Sequence, residues 1–412
     1  MSFADETAAV RLLRNPKTIR ERCQELLMLA EADRLLHFRL HRECLDETVD
    51  YVLATIEDHY PNLDIPPHSR WRHFQVGGID RWNLLSDKYQ GNSPEDIARM
   101  RIDLAVTSVL LDAGAGDKWR YVEAESGISY TRSEGLALAS LQMFATGTFS
   151  SDPANPMQAD ATGLTSVQTA DLDRAFQIRT SNPLIGVPGR VALLRSLGQA
   201  LPMHPDLFGE QCPRVGNLFD YLASRAIDRQ LPAAEIFAAI LRGLATIWPR
   251  RLLLGGENLG DVWRHRAIRR DDRSDGLVPF HKLSQWLSYS LIEPMEDAGI
   301  RVTGLEVLTG LPEYRNGGLF VDLGVLTLRQ PRLALQIHEP GSELVTEWRA
   351  LTVALLDELA KLMRTRLKLG IEDLPLVQIL EGGTWISGRK TAAEHRAGGG
   401  PPIVVRSDGT VF

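Results

Sequence analysis

Between residues 343 and 366 the apolar side chains Trp348, Leu351, Leu355, Leu359 and Leu362 recur at spacings of three and four. That rhythm puts them on one side of an α-helix and would scatter them over both faces of a strand. A chain with so long a one-sided stripe builds its core by packing helices, and the rhythm repeats elsewhere. Asn15-Pro16 can cap and open a helix, which Leu26, Leu29, Leu36 and Leu40 carry through Thr18 to His41. Leu45, Val49, Val52 and Ile56 mark another, from Leu45 to about His59, stopped by Tyr60-Pro61 and followed by a Pro66-Pro67 loop. Ser93-Pro94-Glu95-Asp96 opens a third, running to Leu111 before Gly114 and Gly116. Further helices are predicted at 134–144, 189–199, 214–227, 232–247 and 281–297. Strand signals are confined to the alternation of Leu319, Val321, Leu323 and Val325 and to the apolar runs 376–380 and 403–405. The fold class is mainly α with minor β.

A chain of 412 residues with 44% hydrophobic content can bury a large core. The stretch 146–169, rich in Gly, Pro, Ser, Thr and Ala, is either an internal boundary or a long surface loop. We read it as a loop within a single integrated domain over 1–412, because polar segments on both sides of it could meet in one site. A net charge of -7 gives no footprint for nucleic acid, whose phosphates demand clustered Lys and Arg. The start, Met1-Ser2-Phe3-Ala4-Asp5-Glu6, lacks the regions of a signal peptide, and no apolar run approaches the roughly 20 residues that cross a bilayer. We therefore expect a cytoplasmic protein with neither a membrane nor a nucleic-acid partner. Cys23, Cys44 and Cys212 fit reduced thiols better than a disulfide framework.

Several constellations carry less than they suggest. His37, His41 and Cys44 have metal-like helical spacing but no accompanying carboxylate pattern, which favours a solvated face. The segment Gly255-Gly256-Glu257-Asn258-Leu259-Gly260 lacks the Walker Lys-Ser/Thr and the dinucleotide glycine spacing, so it reads as a turn. The basic run Arg264 to Arg270 is offset by Asp271, Asp272 and Asp275, as in a mixed-charge loop.

Three polar stretches remain. The first, Arg70 to Trp82, includes Trp71, Arg72, His73, Phe74 and Asp80, and reads equally as an anchored loop or as a wall that stacks a planar ligand. The second runs from Asp112 through Gly116 and reaches Arg132-Ser133-Glu134-Gly135 at a helix start, where N–H groups could hold an anion or Ser133 could simply cap. The third is Val278-Pro279-Phe280-His281-Lys282-Leu283-Ser284-Gln285, followed by Leu311-Pro312-Glu313-Tyr314-Arg315. If 281–297 is helical, Lys282, Gln285 and Tyr289 share a face, and Glu313 on its tight element is a carboxylate that can be held rigidly. It reads as a catalytic group or as half of a structural ion pair with Lys282 or Arg315.

Over essentially its whole length, the chain resembles the uracil-catabolism family of fungal Urc and Urg proteins, a family of unknown domain function. The most specific pieces are Trp71 to Gly78, Asp112 to Gly116, Arg132 to Ala137, and a tail reading Glu381-Gly382-Gly383-Thr384-Trp385, Gly388-Arg389 and Pro401 to Phe412. That tail suggests a C-terminus the protein needs. A second likeness, on Pro279-Phe280, Lys282, Gln285, Leu308-Thr309, Glu313-Tyr314-Arg315 and Leu323 to Leu326, is to queuosine-salvage N-glycosidases, whose helical core is related to DNA glycosylases. Those enzymes usually carry Asp where this chain has Glu313.

Together the likenesses imply hydrolysis of the C1′–N bond of a ribosylurea-type intermediate, phosphorylated or not, to urea and ribose or ribose phosphate. Such a bond breaks through an oxocarbenium-like sugar, which calls for a fixed carboxylate, a positioned water and a proton donor for the leaving urea. They assign Glu313 and Lys282 to catalysis, with His73 and Asp80 as alternative donors. Trp71, Arg72, Phe74, Arg132, Ser133, Gln285, Tyr314, Arg315, Glu381 and Trp385 become candidate substrate contacts. The chemistry needs no metal or organic cofactor, and its partner is a small N-riboside. An amidohydrolase cutting the ureido C–N bond, or a pathway protein that binds without catalysis, stays open as an alternative.

Overall fold

The computed structural model describes residues 3–89 and 91–406, so Ser407 to Phe412 of the expected tail lie outside the described residues. The chain forms two compact units. The first takes the described residues up to His68, then Arg250–Gln285 and Leu305–Arg406; the second takes Ser69–Pro249 and Trp286–Gly304. The stretch 146–169 falls inside the second unit. It is not all loop, because Asp160 accepts the N–H of Gly163 at 2.8 Å and caps the short helix Ala161–Ser166.

The first unit is built around the helix Glu343–Leu367, whose stripe residues Trp348, Leu351, Leu355 and Leu359 are buried as the periodicity predicts, while Leu362 is half-exposed. Against it lies the helix Pro16–Glu31, opened by Pro16 and by Asn15 accepting the N–H of Lys17 at 2.9 Å. The Arg20 guanidinium ties the two helices by donating to Asp357 at 2.7 Å. The earlier helix ends ten residues sooner than the expected His41: Asp33 turns the chain at φ +55° and Phe38–Leu40 becomes a strand antiparallel to Leu326–Leu328. Leu36, expected on the stripe, is exposed.

The expected strand from Leu319 to Val325 is likewise corrected. A helix, Tyr314–Asp322, occupies most of it, and only Leu326–Leu328 is extended. Gly317 explains the packing, since a Cβ there would lie 2.9 Å from the Trp348 ring, while Trp348 donates to the Gly317 carbonyl at 3.0 Å. The run 376–380 is helical too, whereas Val404–Val405 is a strand, parallel to Ile337–His338. Gly255 and Gly256, at φ +57° and +79°, form the two-residue turn of a hairpin pairing Leu254 with Glu257.

The second unit packs the helices Pro94–Leu110 and Arg132–Ala145 around the short helix Arg70–Phe74. Ser93 accepts the Asp96 N–H at 3.1 Å, the cap that Ser93-Pro94 predicts. The helix Lys282–Asp297 gives its first turn to the first unit and the remainder to the second. Cys23 is buried, which pushes its thiol up, and none of the three cysteines is in a disulfide. No described helix is long and apolar enough to cross a membrane.

Candidate functional site

In the first unit the Leu311–Arg315 part of the third polar stretch lies at the start of the helix Tyr314–Asp322. Glu313 caps it, its carboxylate accepting the N–H of Arg315 at 2.8 Å and of Asn316 at 2.6 Å. The carboxylate is thereby fixed, as the tight Pro312-Glu313 element suggests, and it remains half-exposed. Arg315 is buried, with its guanidinium carbon 4.4 Å from the centre of the Trp385 ring and 5.3 Å from that of Tyr314. Trp385 and Tyr314 are both half-exposed, so this patch joins a buried cation to two aromatic surfaces that solvent reaches. Asn316 donates to the Leu311 carbonyl at 3.0 Å, but its fully buried side-chain oxygen has no hydrogen-bond partner among the described residues.

Trp385 is brought there by a π-helix, Ile379–Trp385, which continues into the helix Ile386–His395. This wide form is rare and tends to occur where a side chain must be re-aimed. Its glycines let it sit close to the helix Leu45–His59 and the loop beyond. A Cβ on Gly382 would lie 3.0 Å from Tyr60 and Ile65, and one on Gly383 2.8 Å from Val52. Gly388, a turn further on, passes the Tyr314–Asp322 helix so closely that a Cβ would meet the Arg315 carbonyl oxygen at 2.4 Å.

The π-helix aims Glu381 and Trp385 at His68. The His68 Nδ1 and Glu381 Oε2 lie 2.6 Å apart, both residues being buried, and the rings of His68 and Trp385 are 5.8 Å apart. The His68 backbone N–H donates to the Val377 carbonyl at 3.0 Å, which fixes the chain on both sides of the imidazole.

Lys282 is placed by a second buried arrangement in the same unit. Its backbone N–H donates to Asp261 at 2.9 Å, and Asp261 is gripped by Arg349 and accepts the Trp263 indole N–H at 2.6 Å. Burial alone would raise the Asp261 carboxyl, but the Arg349 charge and these donors hold it well below the usual carboxylate range. His281, just before the helix, is held at φ +48° with its ring Nε2 3.0 Å from the Leu13 carbonyl oxygen, and burial pulls it below the ordinary histidine value. Gln285, fully buried one turn on, accepts the Thr309 N–H at 3.2 Å.

The remaining candidates gather in the second unit. Trp71 is buried and donates to the Ser290 carbonyl at 2.8 Å; Phe74 and Trp82 pack edge-on to it, and the Arg101 guanidinium lies 4.0 Å from its ring centre. Arg72 pairs with Glu293, which also accepts from Ser69 at 2.7 Å. His73 packs edge-on against Trp286 at 5.7 Å. Asp80 caps the helix Arg81–Ser86 through the Asn83 N–H at 3.0 Å and accepts from Gln75 at 2.9 Å. The first two polar stretches do meet, through Arg70. Fully buried, it pairs with Asp112 at 3.0 Å, donates to Ser108 at 2.7 Å and reaches the Ser133 carbonyl at 3.4 Å. Arg132 and Ser133 start the Arg132–Ala145 helix, Arg132 at φ +53°.

Sequence reasoning misses His68, Asp261, Glu293 and Arg349. The one signal for His68 is its place directly after Pro66-Pro67, where the backbone is stiffened.

These features define a mainly helical protein with buried ion pairs in each unit and, in the first, a half-exposed patch of carboxylate and aromatic rings over a buried cation. The chain belongs to the family described as "Protein of unknown function (DUF1688)", whose model matches residues 12–412. It is 41% identical to the protein named "Protein urg3" of Schizosaccharomyces pombe, over 98% of this chain and 100% of that one. It is 39% identical to "Uracil catabolism protein 4" of Lachancea kluyveri, over 91% of this chain and 92% of the relative.

Proposed function

We propose that the protein acts in uracil catabolism as an N-glycosidase-type hydrolase that splits a ribosylurea-type N-riboside, or its 5′-phosphate, into urea and the sugar. The place in the pathway is supported by near-full-length likeness to a relative named for uracil catabolism. The observation that carries the chemistry is Glu313, a half-exposed carboxylate immobilised by two backbone donors beside the Arg315–Trp385 stack. A fixed carboxylate of this kind suits both positioning a water and stabilising positive charge as it develops on C1′. Glu313 takes the proton of the attacking water. Lys282, in the same unit, hydrogen-bonds the urea oxygen, while Tyr314, Trp385 and Gln285 wall the ligand and Arg315 and Glu381 order that wall. A helical core of the glycosylase class belongs to the same proposal.

The test is to incubate the full chain with ribosylurea and, separately, with its 5′-phosphate, following urea, ammonia and free sugar. Urea with stoichiometric sugar supports the proposal, and the faster substrate gives the phosphate preference. Ammonia would replace it with an amidohydrolase, and binding without product with a ligand-binding role. Glu313→Gln should abolish turnover while the protein stays folded; a near-normal rate would remove Glu313 from the mechanism.

A further inference from the structure

Urea is a poor leaving group as an anion, so a hydrolase of this kind must deliver a proton to the departing nitrogen. Of the donors suggested by sequence, Lys282 is already given to the urea oxygen, and His73 and Asp80 belong to the second unit, where His73 packs against an indole. The first unit holds a group better built for the task. His68 Nδ1 is 2.6 Å from the Glu381 carboxylate, with both residues buried, and Trp385 joins the imidazole to the Arg315 guanidinium at 5.8 and 4.4 Å. Arg315 in turn donates its backbone N–H to Glu313 at 2.8 Å, so imidazole and candidate carboxylate lie at two ends of one continuous set of contacts.

We propose that His68 is the general acid of the reaction and that Glu381 is its positioning residue. The assignment rests on the N-glycosidase reading. A carboxylate accepting from Nδ1 fixes the tautomer and orientation of an imidazole, so the proton to be transferred is the one on Nε2. In the step, the C1′–N bond breaks with its electron pair going to the urea nitrogen, which takes the Nε2 proton of His68. Water forms the new C1′–O bond and gives its proton to Glu313. Neutral urea and the free sugar result, and the proton on Glu313 returns to His68 through solvent, so atoms and charge balance. The π-helix and its paired glycines then acquire a purpose, because they place Glu381 and Trp385 on the side that faces His68.

The experiment compares wild type, His68→Gln and Glu381→Gln on two substrates. One is ribosylurea; the other is 4-nitrophenyl β-riboside, whose phenolate departs without a proton. We expect His68→Gln to lose roughly 100-fold or more of its kcat on ribosylurea and to keep the nitrophenyl riboside rate within a few-fold. Glu381→Gln should shift the same ratio in the same direction by less. Activity on the nitrophenyl substrate also reports that each variant is folded. Added imidazole gives an independent reading, restoring urea release to His68→Ala in proportion to its concentration. Equal losses of His68→Gln on both substrates, or undiminished urea release, would overturn the assignment. A wild type that releases ammonia, or no product, would instead bring down the N-glycosidase reading itself, and the assignment with it.

Discussion

Arg349 holds Asp261 with two parallel hydrogen bonds, at 2.7 and 2.8 Å, and the same carboxylate accepts the N–H of Lys282 at 2.9 Å. The Arg349 guanidinium also lies 4.1 Å from the ring centre of Phe280, two residues before Lys282. The start of the Lys282–Asp297 helix is therefore set by an ion pair belonging to other segments.

Removing one partner of that pair leaves the other charge largely buried. Asp261→Leu should destabilise the protein by about 3–5 kcal/mol, whereas Asp261→Leu with Arg349→Met should recover much of the loss. Urea unfolding of both variants checks this; equal losses would show that the pair is not energetically coupled. Because the Asp261 carboxyl is depressed in the folded state, its contribution is present above the ordinary carboxylate value of about 4 and is lost as pH falls below it through the lower folded value.

His281 acts in the same direction but in a higher pH window. Burial depresses it, so below the ordinary histidine value of about 6.5 the unfolded chain takes up a proton that the folded chain refuses, and stability falls with pH. His281→Asn removes this term while suiting the left-handed backbone at φ +48°. Unfolding measured from pH 7 to pH 5 should show the wild type converging on the variant, and parallel curves would deny His281 the role.

Gly388 gives a purely steric prediction. A Cβ would sit 2.4 Å from the Arg315 carbonyl oxygen, and backbone cannot yield as a side-chain tip can. Gly388→Ala should cost about 1–3 kcal/mol and move Trp385 relative to Arg315, visible as altered tryptophan emission. Unchanged stability would mean the two helices can separate freely.

In the second unit, Arg70→Met should cost about 3–5 kcal/mol by stranding Asp112, and adding Asp112→Leu should restore part of it. Hydrogen exchange should show the loss first in the Arg132–Ala145 and Pro94–Leu110 helices, which flank Arg70. Loss spread evenly over the chain would argue against a local role.

What the sequence discloses follows the range of the forces involved. Caps are local, so Asn15-Pro16 and Ser93-Pro94 mark helix starts correctly, and the stripe from Trp348 to Leu362 is read almost to the residue. Short apolar runs are ambiguous by nature: 376–380 is buried on several sides, and periodicity cannot separate a strand from a turn of π-helix there. The alternation of Leu319 and Val321 misleads because the Glu313 cap outweighs it. Arg70 meets Asp112, and His68 meets Glu381, only after the chain has folded back on itself, and neither spacing leaves a mark in the sequence.

The interleaving of the two units bears on how the protein is made. The helix Pro16–Glu31 buries Ile19, Cys23, Leu26 and Leu27, and it packs on Glu343–Leu367. At a synthesis rate of about 5–20 residues per second, its partner leaves the ribosome tens of seconds later. The Ser69–Pro249 segment of the second unit emerges during that interval. The apolar face of Pro16–Glu31 therefore waits for the Glu343–Leu367 helix before it can take up the packing of the folded chain.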